Sequence, residues 1–434
     1  MANILKRITI VFAIALLLAA VLSLGASQNT AYVIRNARVY TLSASGTLER
    51  ASVVVIDGKI AEVGTSVKAP AGAQIINGQG LEVYPGMVNA WSNIGLTEIG
   101  SVPATNDANE MGDFKPQLLA FSAVHPASEH IPVARVNGIT TSLSAPSGGI
   151  IAGQAVLLHL DGWSADEMAI LKSAGMVLDY PSIGGRSRGF GGGLARVARQ
   201  SYSEAKRNQE KQVKDLTELL EKARHYAKAR EANSATERDR QLDALVSVIK
   251  GQMTVFIGAD TAREIRGAVE FAKKEKLKYV IQGGREASKV ADLLKKENVP
   301  VIMGSIIALP TREDDPYDAR FTVPRDLAKV GVKFALTAPS SSDMRNLPYE
   351  AGFAQAYGLS HEEALKTVTL YPAEIPGVAD KIGSIEKGKI ADLVITDGDL
   401  LELRTQIKNL FIAGKKVSLE TKQTRLYQQY VARP

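Results

Sequence analysis

A carboxylate and a guanidinium stand at the ends of two apolar runs in the second half of the chain: Asp260 closes MTVFIGAD and Arg285 follows YVIQGG. If these runs are barrel strands, their C-terminal ends are where chemistry is done. Two carboxylates held close, with pKa values driven apart by burial, would supply a general acid and a general base, and Asp260 and Asp343 are the catalytic candidates. Asp260 has a second reading, as the N-cap of a helix beginning TAREIRGA. Gln282, Arg285 and Arg345 are candidates for substrate binding. The two arginines suit a carboxylate or phosphate, or else pair with a neighbouring carboxylate. Trp91, Asn93 and Glu98, within WSNIGLTE, add an aromatic platform and two polar groups at the end of an earlier apolar run.

The remaining reactive groups offer less. The loop ATNDANEMGDFKPQ carries Asp107, Glu110, Asp113 and Lys115, either as a second polar cluster or as a solvated loop. His125 and His130 lie close to Pro126 and Pro132 and form no ligand spacing with each other. Cysteine is absent, which excludes disulfides, thiolate metal sites and lipid attachment behind a leader. The glycine-rich GFGGG that begins at Gly189 lacks the Lys and Ser/Thr of a phosphate loop and reads as a hinge or lid. SAPSGGIIAGQ reads as a turn near the barrel mouth.

These residues need a scaffold, and the texture of the chain describes one. From Ala31 to Asn77 short β-rich runs are broken by turns, including an Asp57-Gly58 hairpin signal, and the same texture returns in GSIEKGKIADLVITDGDL and NLFIAGKKVSL. The two ends can pair into one sheet. Between them strand-like and helical patterns alternate, which predicts parallel strands joined by right-handed crossovers. No GxGxxG turn follows the first of them, so a closed barrel is favoured over a doubly wound sheet. The expected fold is α/β: a (β/α)8 TIM-like barrel over 85–382 with a small β-sandwich built from 30–84 and 383–434. A charged helical insertion is expected at about 189–251.

The 434 residues are 45% hydrophobic and 23% charged, enough for a sizeable core. The net charge of +6 resides in one stretch, since Arg186 to Lys250 holds 15 Lys and Arg against 9 Asp and Glu. That stretch also places Val213, Leu216, Leu220, Ala223 and Ala227 at helical spacing, so its charge is read as a solvated helix face and no nucleic-acid partner is expected. At the N-terminus Lys6 and Arg7 precede the apolar run Ile8 to Leu24 and the small residues Gly25, Ala26 and Ser27. This is the pattern of a signal peptide over 1–27 and of an exported, periplasmic or secreted protein; an uncleaved membrane anchor is the alternative.

Two junction segments carry a family resemblance. LEVYPGMVNAWSNIGLTEIG and LSHEEALKTVTLYPAEIPGVADKIGSIEKGKIADLVITDGD resemble the entry to the first barrel strand and the closing helix of the amidohydrolase superfamily, particularly its imidazolonepropionase-like members. The resemblance implies hydrolysis of C–N bonds with zinc or another divalent metal, whose first two ligands form a His-x-His pair on the first strand. Here those positions are Trp91 and Asn93. Later ligand positions align with Gly258, Gly283 and Ala338. Indole cannot ligate a metal, a carboxamide is a weak neutral ligand, and glycine and alanine bring no side-chain donor, so no metal is expected. His225 on the insertion and His361 on the closing helix do not restore the set. Two functions follow: a hydrolase of small C–N substrates with a lost or rebuilt metal site, or an inactive barrel that binds a small molecule or a protein. Trp91 is then either a ligand platform or the filling of the vacated metal cavity.

Overall fold

The computed structural model describes residues 31–183, 201–233, 235, 237–310 and 314–433. The expected signal segment and the glycine-rich hinge fall outside the described residues. Eight strands from both ends of the chain form one sheet: β1 (Tyr32–Tyr40), β2 (Thr47–Ile56), β3 (Lys59–Gly64), β4 (Gln74–Asn77) and β5 (Glu82–Pro85) with β14 (Leu393–Thr396), β15 (Ile407–Ile412) and β16 (Lys415–Val417). The order is β16-β15-β14-β5-β1-β2-β3, with β4 beside the first half of β1. Antiparallel pairing of β5 with β14 joins the two ends. The hairpin tips also meet: Asp57, Gly58, Ala413 and Gly414 all have positive φ, and a Cβ on Gly414 would come 2.3 Å from the Gly58 Cα. Only glycine tolerates both the backbone angle and that approach.

The barrel follows in chain order: β6 (Met87–Ser92), β7 (Ile139–Ser144), β8 (Ile151–His159), β9 (Ala169–Asp179), β10 (Val255–Ala259), β11 (Tyr279–Gly283), β12 (Val301–Met303) and β13 (Phe334–Ala335). Each of the later strands is apolar on both faces. Phe256, Val280, Ile302 and Ala335 fill the interior, while Val255, Ile257, Ile281, Val301 and Phe334 belong to the outer core under the helices. The expected eight-stranded barrel is present with one correction. β8 runs antiparallel to both neighbours, whereas strand and helix alternation predicts parallel strands throughout. The reason is length: only Ala145 to Ile150 separates β7 from β8, and a parallel crossover needs a dozen residues or more. The SAPSGG segment is therefore a hairpin turn.

The ring is closed by side chains and by a separate backbone segment, not by a ladder between its first and last strands. Val88 N donates to Val368 O (2.7 Å) and Leu336 N to Thr367 O (3.1 Å), so Thr367–Val368 sits between β6 and the end of β13. Beyond it, Asn89 Nδ2 donates to Ala338 O (2.9 Å) and Asn89 Oδ1 accepts from Ala338 N (3.1 Å).

The charged stretch between β9 and β10 folds as the helices Tyr202–Ala232 and Arg240–Ile249. Leu216, Leu220, Ala223 and Ala227 are buried and Val213 partly so, as their spacing requires, and leucines of this stripe pack into the outer core of the barrel. These helices thus hold the place of a barrel crossover. Among the described residues no helix is long and apolar enough to cross a membrane.

Candidate functional site

At the mouth of the barrel the ends of β10, β11 and β12 converge on a charged cluster. Asp260, 9% exposed, accepts from Arg285 Nη2 (3.1 Å). Its backbone amide donates to Glu264 Oε2 (2.9 Å) and its carbonyl accepts from Glu286 N (2.9 Å). The helix N-cap is the next residue, Thr261, in a reciprocal capping box with Glu264. The Asp260 carboxylate is thereby released from capping and turned to Arg285. Thr261→Ala should cost about 1 kcal/mol in a urea titration. No measurable loss would mean that the capping box does not hold this end of β10.

Arg320 lies close to the same pair. Burial first and then the like charge of Arg285 weaken its hold on its proton, against Asp260, Glu350 and Asp315. Glu350, from the helix Leu347–Ala356, is 2% exposed and grips the loop after β12. Its carboxylate accepts from Ile306 N (2.8 Å), Ile307 N (3.3 Å) and Ser305 Oγ. Burial pushes its pKa up to about 7, although those hydrogen bonds and the Arg320 charge favour the ionised form.

The positions expected to hold metal have other tasks. Trp91, 8% exposed, lies in the interior cluster with Val88 and Leu143, its ring edge-on to Phe256 at 5.6 Å. Phe256 shares an inner face with Gly258, two residues on, so the indole packs along the face where a histidine would have projected. Asn93, 1% exposed, accepts at Oδ1 from Ser341 N (2.8 Å), while Ser341 Oγ donates to Thr97 O (3.1 Å). The carboxamide thus fastens β6 to the loop after β13. Gly258 pairs with Gln282 across the β10–β11 ladder, and the pleat turns Gln282 to the interior beside Val280. Gly283 has φ +103°, an angle histidine rarely adopts, and Ala338 has both backbone groups on Asn89.

The other expected residues divide. Glu98 is at the same rim, with its carbonyl accepting from His130 Nε2 (2.8 Å) and a buried Oε1 that has no hydrogen-bond partner. His125 and His130 sit in loop and helix-start positions. Asp343 precedes the short turn Met344–Asn346 and is exposed, and the exposed Arg345 gives its carbonyl to Asn137 Nδ2 (2.8 Å), just before β7 begins. Among the described residues no hydrogen bond or ion pair brings either to the Asp260–Arg285 pair. In the acidic loop Asp107, Glu110 and Asp113 are exposed, and the buried Lys115 donates to Glu110 O (2.6 Å). Ser305, Arg320 and Glu350 lie in no recognisable motif, and only their burial and convergence reveal them.

A profile of the amidohydrolase family matches residues 212–417. An amidohydrolase of Thermotoga maritima superposes with a TM-score of 0.77 at 25% identity, over 89% of this chain and 99% of that one. Together these likenesses support a member of the amidohydrolase superfamily. It is 23% identical over 391 residues to amidohydrolase tasK of Hapsidospora irregularis, covering 85% of this chain and 39% of that protein. It is 34% identical over 110 residues to the imidazolonepropionase of Erwinia tasmaniensis, covering 25% of this chain and 26% of that one. The matches therefore span well under half of each of these two relatives. Amidohydrolases as a class cleave amide and other C–N bonds with a bound metal. The side chains at Trp91, Asn93, Gly258, Gly283 and Ala338 do not fit the metal that chemistry uses: one is apolar and packed, one is committed to a backbone amide, and three carry no donor. Among the described residues no three His, Asp or Glu side chains are placed to hold a metal elsewhere.

Proposed function

We propose that this amidohydrolase-superfamily barrel has given up metal-dependent hydrolysis and binds a small anionic molecule at its mouth. One observation carries the reading: Trp91 and Asn93, at the first two ligand positions, are consumed by folding, one in the interior core and one in the closure of the ring. Arg285, with 38% of its side chain in solvent, is the group that can reach a ligand, and Asp260 orients its guanidinium. Gln282 and Glu98 complete the polar rim.

A second reading, C–N hydrolysis by carboxylates alone, draws on Glu350. A carboxyl held at about 7 can give or take a proton at neutral pH. One experiment separates the two. The purified protein is loaded with zinc, dialysed, analysed for bound metal, and screened against amides, lactams and dipeptides. Binding without turnover, and without stoichiometric zinc, is the expected result. Tightly held stoichiometric zinc overturns the assignment. Zinc-free turnover that rises through an apparent pKa near 7 and disappears in Glu350→Gln establishes hydrolysis instead.

We also infer export across a membrane, supported by Lys6 and Arg7 ahead of the run Ile8 to Leu24. Fractionation of expressing cells, with the N-terminus of the mature chain sequenced, tests it.

A further inference from the structure

The reversal of β8 gives the molecule a second concave face. His159 ends β8 and pairs with Thr141 near the start of β7, so this end of the strand lies at the base of the barrel, opposite Asp260. A cleft of about 660 Å³ opens there against the turn between β15 and β16. That volume is within the range of small-molecule sites, and the walls combine apolar side chains, Ile131, Leu160 and Met168, with charged ones.

The charges are unequally used. Asp161 is spent on Arg135 and Glu167 Oε2 accepts from Trp163 N at 3.0 Å. Beneath the cleft Asp392 pairs with His159 Nε2 at 3.1 Å and accepts from Ala413 N at 2.8 Å. Glu129 is exposed at the lip. On the cationic side Lys415 and Arg425 come from the small sheet and the helix after it, with Arg425 3.5 Å from Glu420. Arg135 meets Asp161 through Nη1 alone, and its buried Nε has no hydrogen-bond partner. A guanidinium fork with one prong occupied has capacity for a second carboxylate. At the rim the Trp163 ring is 94% exposed, although its backbone is fixed by Glu167 and the adjoining helix is capped by Ser164. An uncovered indole on a fixed backbone is a surface for stacking a flat group.

We propose that this basal cleft is a second ligand site, for a small organic carboxylate with a flat apolar body, its ring on Trp163 and its carboxylate on Arg135. The test uses phenylacetate, with phenylacetamide and phenethylamine as neutral and cationic counterparts. The chain has two tryptophans, and Trp91 is buried, so a fluorescence change on titration reports Trp163. Phenylacetate should give a saturable change, with binding about tenfold tighter than either counterpart. Ligand-observed NMR should show about tenfold weaker binding in Arg135→Gln and a several-fold loss in Trp163→Ala, whose exposed position keeps the fold intact. Arg285→Gln, at the opposite end, should leave the Trp163 fluorescence titration unchanged, whatever it does to an anion held at the mouth. Absence of saturation, equal affinity for all three probes, or loss of the Trp163 fluorescence response in Arg285→Gln would overturn the proposal, the last by locating the ligand at the mouth.

Discussion

Asn89→Leu should destabilise the protein by about 2–6 kcal/mol, read as a fall in the urea midpoint at unchanged slope. Asn89 is fully buried, and its carboxamide satisfies both the N–H and the C=O of Ala338. Leucine has a similar volume but leaves the two backbone groups without partners, and each orphaned buried group costs roughly 1–3 kcal/mol. The damage should also be local. Amide exchange at Ala338 should accelerate more than at Ile257 in β10, which keeps its ladder. An unchanged midpoint together with continued protection of Ala338 would show that the ring closes without this contact.

The second large effect concerns pH. The Glu350 carboxyl is raised from 4.5 to about 7, burial being the largest cause. The folded protein therefore holds this proton more tightly than the unfolded chain. The associated stability is fully present below about 4.5 and is lost as pH rises through 7, an amount of about 3 kcal/mol. Glu350→Gln removes the titration. It also loses acceptors for Ser305, Ile306 and Ile307, so its absolute stability falls, and the informative comparison is slope. Between pH 4.5 and 7 the stability of the wild type should decline relative to that of Glu350→Gln. Parallel curves would mean that Glu350 ionises in the folded state as freely as in solvent.

The layers of this fold were legible because their signals are local. The Asp57-Gly58 turn, the strand runs apolar on both faces and the stripe on Tyr202–Ala232 each report a short-range geometry that the fold retains. The reversal of β8 was legible in principle, since Ala145 to Ile150 cannot span a crossover, but the alternation pattern outweighs so short a turn. The site is another matter. Asp260 and Arg285 could be found because each follows a strand. Glu350 was hidden, because a carboxylate on the first turn of an apolar helix has no signature until the loop after β12 folds onto it. Asn93 shows the converse: its position drew attention to ligand chemistry, and its partner, the Ser341 amide, lies at the far end of the barrel sequence.

The pairing of β5 with β14 has a consequence for the order of events during synthesis. β5 is made about 300 residues before β14, and the sheet lacks its three strands β14 to β16 until then. A chain emerging from the ribosome can form the β1 to β3 meander and can begin to curl the barrel. It must nevertheless hold the open edge of β5, a row of unpaired amides and carbonyls, until β14 has been made. The nascent chain therefore passes through a stage, between the synthesis of β5 and that of β14, that favours pairing with the wrong strand.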